Sequence, residues 1–192
     1  MKELVSLAKL AVETYVKEGR IIDSPKDLSS KFFKRKTGVF VTIEKNKELR
    51  GCIGTYLPTK ENILEETIYN AISAATEDCR FEPIKKEELP YLSYTVYILN
   101  KPELVKNIYE LNPYKFGIIV KTIPITISNS DVVFNGHIPY KTGILLPNLE
   151  GIDTIEKQIS IACYKAGINP EKEPIIIYKF TVEKFSSNPL TK

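Results

Sequence analysis

Apolar residues recur every three or four positions in three parts of the chain, which is the spacing of one helix face. The first part is residues 4–18, and Gly19 follows as a helix stop. The second begins with Thr59 as its N-cap and runs for about 17 residues. The third is residues 154–166. A shorter helix is predicted within residues 24–33, where Pro follows a Ser N-cap.

Between the helices, apolar and polar residues alternate, which predicts strands with one buried face. Residues 38–43 and 49–56 flank a polar turn, so they are predicted to form a hairpin. Residues 91–99 are a further strand, residues 103–112 fit a short helix, and residues 173–185 are the last strand. Shorter strands are predicted at 116–121, 124–128, 132–134 and 140–146, with a tight turn at Asn135-Gly136.

The predicted fold class is α+β, an antiparallel sheet packed with helices, because helices and hairpins are mixed without regular alternation. No linker rich in Pro, Gly or Ser divides the chain, which favours a single domain over residues 1–192. A smaller lobe within that domain is compatible with the pattern.

Composition indicates where the protein works. The longest apolar runs span a few residues, whereas a transmembrane helix needs about 20. The N-terminus starts directly in an amphipathic pattern and lacks the apolar core of a signal peptide. We therefore expect a cytoplasmic protein with no membrane partner. The abundance of Ile, Lys and Glu, with one Gln and no Trp, is typical of a thermophilic source.

Charge and rare residues argue against several kinds of site. The net charge of +3 is a mild excess that does not by itself indicate nucleic-acid binding. Three widely spaced cysteines (Cys52, Cys79 and Cys163) and a single histidine, His137, do not match a zinc site or a thioredoxin-type motif. We expect no metal ion and no cofactor. A disulfide between Cys52 and Cys79 stays open, since heat-adapted intracellular proteins use such bonds.

The segment of residues 49–55 concentrates the chemistry of the chain. It holds one of three cysteines, two of nine glycines and one of four arginines. In a regular strand Arg50 and Cys52 project from the same face, about 6–7 Å apart. Gly51 and Gly54 would let a ligand approach the backbone closely. We therefore predict the functional site here.

Two functions fit this segment. In the first, Cys52 is the catalytic nucleophile of a thiol-dependent enzyme, because a nearby guanidinium favours the thiolate. No histidine lies close in sequence, however, so Cys52 lacks an obvious general base. In the second, Arg50 binds a small anionic ligand or a protein partner, with Thr42, Asp78 and Arg80 around it. The sequence does not decide whether the protein is an enzyme.

Two further interpretations also apply. Residues 51–54 formally match the GxxG loop of KH nucleic-acid-binding domains, but that loop needs helices on both sides, and a strand is predicted here. Each residue also has a purely structural explanation. Arg50 can pair with Asp78 or a Glu, Cys52 can be a small buried apolar residue, and the glycines can serve a bulge.

Several motifs in a fixed order carry a family resemblance. The most specific are residues 49–54 (LRGCIG) and the later element Asp78-x-Arg80-Phe81-x-Pro83. Further matching segments are residues 38–42, 71–75, 99–102, 117–118, 145–147 and 165–167, and the last strand up to Phe185. Together they resemble the AMMECR domain family, named after a human gene in the Alport syndrome with midface hypoplasia region, whose prokaryotic members are called AmmeMemoRadiSam-type protein A.

The resemblance implies an α+β fold in two lobes, the larger of which carries both termini and an antiparallel sheet. It implies a role in basic cellular machinery such as transcription, repair or translation, and in prokaryotes a link to Memo-type proteins and radical SAM enzymes. Phe116 stands where the family often has His, so an imidazole role there is not expected. Cys79 stands where the family often has Pro or Ser, so the resemblance gives Cys79 no role.

Overall fold

The computed structural model describes residues 3–25, 28–123, 125–128, 131–134 and 140–187. Within these ranges the chain forms helices and antiparallel strand pairs, and the predicted α+β class is confirmed. The chain divides into two compact units. The first unit comprises Met1–Leu99 and Glu183–Lys192, and the second comprises Asn100–Val182.

Four helices and ten strands make up the described residues, together with two 3-10 helices. The helices are α1 (Glu3–Glu18), α2 (Ser30–Phe33), α3 (Ile63–Thr76) and α4 (Ile155–Lys165), and the 3-10 helices are Lys86–Tyr91 and Ile108–Glu110. The strands are β1 (Val39–Lys45), β2 (Glu48–Gly54), β3 (Leu92–Leu99), β4 (Glu103–Leu104), β5 (Gly117–Thr122), β6 (Ile125–Ser128), β7 (Asp131–Phe134), β8 (Thr142–Leu145), β9 (Ile175–Phe180) and β10 (Val182–Ser186).

The first unit is a four-stranded sheet in the order β10-β3-β1-β2, packed against α1 and α3. Alternate residues of β1, namely Val39, Val41 and Ile43, are fully buried in the core that also contains the apolar stripes of both helices. Strand β2 lies at one edge of this sheet. The apolar spacing that predicted the helix over residues 4–18 is thus the face of α1 that covers the sheet.

The β1–β2 hairpin forms as predicted, with one irregularity beside the candidate site. Asn46 and Lys47 have φ angles of 54° and 72°, so the two-residue turn has the left-handed geometry that suits a right-handed twisted hairpin. The register shifts between Ile43, which faces Gly51, and Glu44, which faces Leu49. The residue between Gly51 and Leu49 is therefore a bulge, and the assumption of a regular strand fails at that point.

The second unit contains a four-stranded sheet in the order β4-β9-β5-β8, with α4 packed on it, and the separate β6–β7 hairpin. Buried residues of β5 and β8 (Ile118, Val120 and Leu145) meet Ala162 and Cys163 of α4. Cys163 is 1% exposed, and burial raises the pKa of its thiol, to which Glu173 adds. Cys163 is therefore a core residue.

The second unit interrupts the first in sequence. The chain leaves the first sheet after β3 and returns to it with β10. Where the chain enters and leaves the second unit, the Asn100 N–H donates to the Thr181 carbonyl oxygen at 2.9 Å, and Asn100 Nδ2 donates to Thr181 Oγ1 at 2.9 Å. The two crossings therefore lie side by side.

Several boundaries differ from the sequence predictions. The N-cap of α3 is Asn62, whose side chain accepts from two backbone N–H groups, because Thr59 is used elsewhere. The predicted last strand is two strands, separated at Thr181 and placed in different sheets. Residues 103–112 form β4 and a 3-10 helix rather than an α-helix, and the short helix within residues 24–33 is limited to α2. The predicted Asn135-Gly136 turn lies outside the described residues.

In the described part of the chain, no helix combines the length and the apolar character that crossing a bilayer requires.

Candidate functional site

The two glycines of strand β2, Gly51 and Gly54, pack closely against α3 and β1. Gly51 faces α3 so closely that an added Cβ atom would lie under 3.0 Å from the carbonyl oxygen of Ala74. Gly54 packs in the same way against the ring and Cα of Phe40. Since successive side chains point to opposite faces of a strand, Cys52, which follows Gly51 in the regular part of β2, projects away from α3. The glycines thus serve packing in the described fold.

Cys52 is held from two sides. Its thiol forms a 3.2 Å hydrogen bond with Oγ1 of Thr42, the residue directly opposite on β1. Its backbone N–H donates to Asp78 Oδ2 at 2.8 Å. Because β2 is an edge strand, this second bond covers an N–H group that no neighbouring strand pairs. Cys52 is half-buried, so its thiol is neither sealed in the core nor fully open to solvent.

Asp78 also forms a bidentate ion pair with Arg80. Arg80 Nε donates to Oδ1 at 2.9 Å and Nη2 donates to Oδ2 at 2.7 Å, while the Arg80 backbone N–H donates to Oδ1 at 3.2 Å. These side-chain bonds lower the pKa of Asp78 to about 2 against the opposing effect of burial, and the Cys52 N–H contributes. The Arg80 side chain nevertheless stays 53% exposed. Its guanidinium is therefore fixed in place and accessible.

The pKa of Arg80 also responds to the charge of the Cys52 thiolate. The hydrogen bonds from Arg80 to Asp78 raise the pKa of Arg80 against the effect of burial, and the charges of ionised Cys52 and Cys79 raise it further. The guanidinium carbons of Arg80 and Arg50 lie 5.4 Å and 5.9 Å from the centre of the Phe81 ring. Phe81 is thus the shared neighbour of the two arginines that the sequence singled out.

Arg50 forms an ion pair with Glu88 that ties β2 to the 3-10 helix Lys86–Tyr91. Arg50 Nε and Nη2 donate to the two carboxylate oxygens at 3.0 Å and 2.8 Å, and Lys45 Nζ adds a third bond at 2.9 Å. Both side chains of the Arg50–Glu88 pair are only 15% exposed. The Arg50 bonds lower the pKa of Glu88 to about 2 against the effect of burial, with help from Lys45. This geometry supports the structural explanation of Arg50, namely pairing with a Glu.

We expect the Glu88 ion pair to make the stability of the protein depend on pH in the acid range. The folded-state pKa of about 2 lies below the ordinary value of 4.5, so the contribution is complete above pH 4.5 and is lost as the pH falls towards 2. Glu88→Gln should therefore cost about 1–3 kcal/mol at pH 7 and progressively less below pH 4.5, measured by urea unfolding.

The matched control is Glu61→Gln, which removes an 84% exposed partner of Lys36. Its unfolding midpoint should follow that of the unaltered protein at every pH. If the gap between Glu88→Gln and the unaltered protein stayed constant from pH 7 to pH 2, the ion pair would not be the cause.

A row of hydroxyl groups continues the site across the sheet. Thr42 faces Cys52 on one side and Thr95 of β3 on the other, and Thr95 Oγ1 lies 3.1 Å from Ser186 Oγ of β10. Tyr97, which lies on β3 like Thr95, has a pKa raised to about 12, chiefly by burial and then by the charges of ionised Cys52 and Glu44. The thiol therefore ends a polar row that crosses all four strands.

A buried carboxylate shapes the loop that follows β2. Glu66 of α3 is 1% exposed and accepts hydrogen bonds from Thr55 Oγ1 (2.5 Å), Thr59 N (2.8 Å) and Oγ1 (3.0 Å), and Lys60 N (2.8 Å). Asn70 Nδ2 adds a longer bond of 3.4 Å. Burial acts to raise the pKa of Glu66, but the hydrogen bonds from Thr55, Lys60 and Thr59 outweigh it and the pKa is lowered. Glu66 thus fixes the loop beside the motif.

The predicted site residues are only partly assembled around one point. Thr42, Cys52, Asp78 and Arg80 are linked by direct contacts, and we call these four residues the Cys52–Arg80 site. Arg50 belongs to the neighbouring ion pair, and its role as a ligand contact stays a prediction. Sequence reasoning missed Glu88 and Glu66. The signal for Glu88 was its position three residues after Lys85, whose backbone N–H it accepts at 3.1 Å in a capping arrangement.

Three expectations concern the cysteines and the histidine. All three cysteines lie within the described residues, and none forms a disulfide. The open question of a Cys52–Cys79 bond is thereby answered for this structure. Cys79 is exposed at the turn that follows α3. His137 lies outside the described residues.

Residues 51–54 lie within β2 rather than in a loop between helices, which gives the KH-type interpretation no support.

Comparison with known proteins identifies one family. Residues 5–185 match the sequence profile of the AMMECR1 family. A Thermotoga maritima protein is 42% identical over 182 residues, covering 94% of this chain and 95% of that protein. A Pyrococcus furiosus protein is 36% identical over 193 residues, covering 95% and 85%. Thermophiles are therefore among the sources of its relatives, and a thermophilic source for this chain stays a prediction.

Two further similarities concern structure and length. The crystal structure of an uncharacterised Pyrococcus horikoshii protein is 33% identical, with a TM-score of 0.79 and coverage of 96% of this chain and 90% of that one. A Clostridium acetobutylicum protein is 38% identical over 182 residues, which is 94% of this chain but only 34% of that protein. In Clostridium the matching region is therefore about one third of a longer polypeptide.

Proposed function

Because this chain belongs to the AMMECR1 family, we propose that it is a cytoplasmic binding protein whose Cys52–Arg80 site holds an anionic group of a small ligand or of a protein partner. Arg80 supplies the charge that binds the anion. Cys52 and Thr42 supply neighbouring polar contacts, and Asp78 positions both Arg80 and Cys52. Gly51 and Gly54 contribute indirectly, because their close packing against α3 and Phe40 fixes the strand that carries Cys52.

The observation that supports this proposal is the state of Arg80. An exposed arginine normally samples many rotamers, and fixing it on binding costs free energy. Here the ion pair with Asp78 has already fixed the guanidinium, while 53% of the side chain remains exposed. Asp78 uses the N–H of Nε and one N–H of Nη2, so the N–H groups of Nη1 and the second one of Nη2 are the donors that an external anion would meet. Arg80 is therefore organised in advance for an anion.

The alternative is an enzyme that uses Cys52 as a nucleophile. Its thiol is half-buried near a guanidinium, which suits thiolate formation. The contacts described for the thiol and the backbone of Cys52 involve a hydroxyl and a carboxylate that is already bound to Arg80. Asp78, with its pKa of about 2, is a poor acceptor of a proton at neutral pH. The described contacts thus favour binding over catalysis.

A protein partner is supported by the Clostridium relative. The region similar to this chain is joined there to about twice its own length of additional polypeptide. Parts of one polypeptide in one organism are often separate associating proteins in another, so we propose that this chain works with a separate partner. The family resemblance directs the search to Memo-type and radical SAM proteins. Nucleic acid is the less favoured alternative, since the net charge is only +3.

We expect Arg80→Ala to weaken anion binding at least tenfold. The probes are inorganic phosphate and acetate, and the measurement is NMR titration of the full chain at low salt, followed through arginine side-chain N–H signals. Arg80→Lys should retain part of the affinity, because lysine keeps the positive charge but lacks the planar set of N–H donors. Cys52→Ser should bind nearly as well as the unaltered protein.

The matched control is Arg20→Ala, since Arg20 is 61% exposed and also paired with an acid, Glu18, but lies outside the site. Equal affinity in Arg80→Ala and Arg20→Ala would refute the proposal. Loss of a turnover in Cys52→Ser, with binding intact, would favour the enzyme instead.

A further inference from the structure

Two cavities in the second unit share one wall residue, Ile159 of α4. The first has a volume of about 360 Å³ and is lined by aliphatic residues that include Val105, Ile108 and Ile176. The second has a volume of about 530 Å³ and runs past Tyr164 and Ile168. The two cavities meet at Ile159, and we call the surface that they line the α4 groove.

The surface around the α4 groove exposes large apolar side chains. Tyr164, which lines it, is 85% exposed, and Tyr109, next to Ile108, is 84% exposed. Ile108 is 46% exposed. These three side chains offer roughly 500 Å² per chain, so two copies facing each other would bury about 1,000 Å², near the lower limit for a specific interface. Tyrosine is among the residues enriched in such interfaces.

The charges of the α4 groove are arranged in opposite senses around Ile159. Lys106 lines the cavity on one side and Glu156 lines the cavity on the other. Neither forms an ion pair within 4.0 Å among the described residues. The pKa of the nearby Glu110 is lowered chiefly by a hydrogen bond from Lys179 and, to a smaller extent, by the charge of Lys106. A groove that is positive on one side of its centre and negative on the other complements itself after a half-turn.

We propose that the α4 groove is the contact surface of a symmetric homodimer, with the two-fold axis passing close to Ile159. Lys106 of each copy then faces Glu156 of the other, which adds two ion pairs across the two-fold axis. Tyr109 and Tyr164 cover the aliphatic walls and exclude water from the centre. The dimer is a weak one, because the area is small and the ion pairs lie at the rim.

The test is sedimentation velocity on the full chain between about 5 and about 500 µM protein. We expect the mass to rise from 21.8 kDa towards twice that value with increasing concentration. Lys106→Glu and Glu156→Lys should each raise the dissociation constant about tenfold, since each places like charges opposite one another. The double variant should return to within about threefold of the unaltered protein, because it swaps the pair without losing it.

Tyr164→Ala should also weaken the dimer about tenfold, and its high exposure means that the fold does not depend on it. The matched control is Tyr91→Ala, a 60% exposed tyrosine of the first unit, which should dimerise normally. A mass of 21.8 kDa over the whole range would overturn the proposal and leave the groove to a different partner. A dimer whose charge-swapped double variant is no tighter than the single variants would overturn it equally.

Discussion

Gly51→Ala is expected to destabilise the protein by about 3 kcal/mol. The added Cβ atom would meet the backbone carbonyl oxygen of Ala74, and a helix backbone cannot swing aside as a side chain can. Strand β2 and helix α3 must therefore separate, or the strand must bend. Either change weakens the core in which Val41 and Ile43 of β1 meet α3. Urea unfolding at neutral pH measures the loss.

The matched control is Gly19→Ala at the end of α1. Nothing lies within 4 Å of an added Cβ there, but the φ angle of 68° is a conformation that favours glycine. The expected cost is about 1 kcal/mol, from backbone strain alone. If Gly51→Ala cost no more than Gly19→Ala, the close approach of β2 and α3 would be wrong.

Glu66→Ala is expected to cost about 3–4 kcal/mol. Removing the carboxylate leaves the hydroxyls of Thr55 and Thr59 and the N–H groups of Thr59 and Lys60 without their acceptor. Buried donors that lose an acceptor cost more than the bond itself contributed. The Thr59–Lys60 part of the loop should then become mobile, which faster amide hydrogen exchange at these two residues would reveal.

Glu65→Ala provides the control one position earlier in the same helix. Glu65 accepts only longer bonds, of 3.4 Å from Glu61 N and 3.3 Å from Asn62 Nδ2. Its loss should cost under about 1 kcal/mol. Glu66→Gln separates the effect of charge from that of shape. The amide keeps one acceptor oxygen, but its NH2 group would face the N–H and O–H donors that the second carboxylate oxygen now accepts from. We expect it to fall between the other two, and a neutral effect would show that the carboxylate is not required.

Sequence periodicity predicted the helices and most strands because these patterns are local. It could not assign the N-cap of α3, since Thr59 and Asn62 are both good capping residues. Only the position of Glu66 shows that the Thr59 hydroxyl is occupied. The division of the last strand was equally hidden, because apolar and polar residues keep alternating through Thr181 while the chain changes sheets.

The sequence predicted which residues belong to the candidate site, but not which of them bind each other. The motif grouped Cys52 with Asp78, and a 2.8 Å hydrogen bond links them. The partner of Arg50 is 38 residues away in a segment that looks like an ordinary polar loop. Choosing Glu88 among 24 acidic residues requires the tertiary fold. Local pattern therefore gave the residues, and long-range contacts decided which of them hold each other.

The interruption of the first sheet by the second unit has a consequence for synthesis on the ribosome. Strand β10 pairs with β3, but the residues of the second unit, Asn100–Val182, are made between them. At 5–20 residues per second, β3 waits roughly 4–16 s with an open edge before β10 emerges. An unpaired strand edge invites association with other chains. During those seconds the newborn chain therefore exposes a strand edge that can associate with other chains, which a chaperone would prevent.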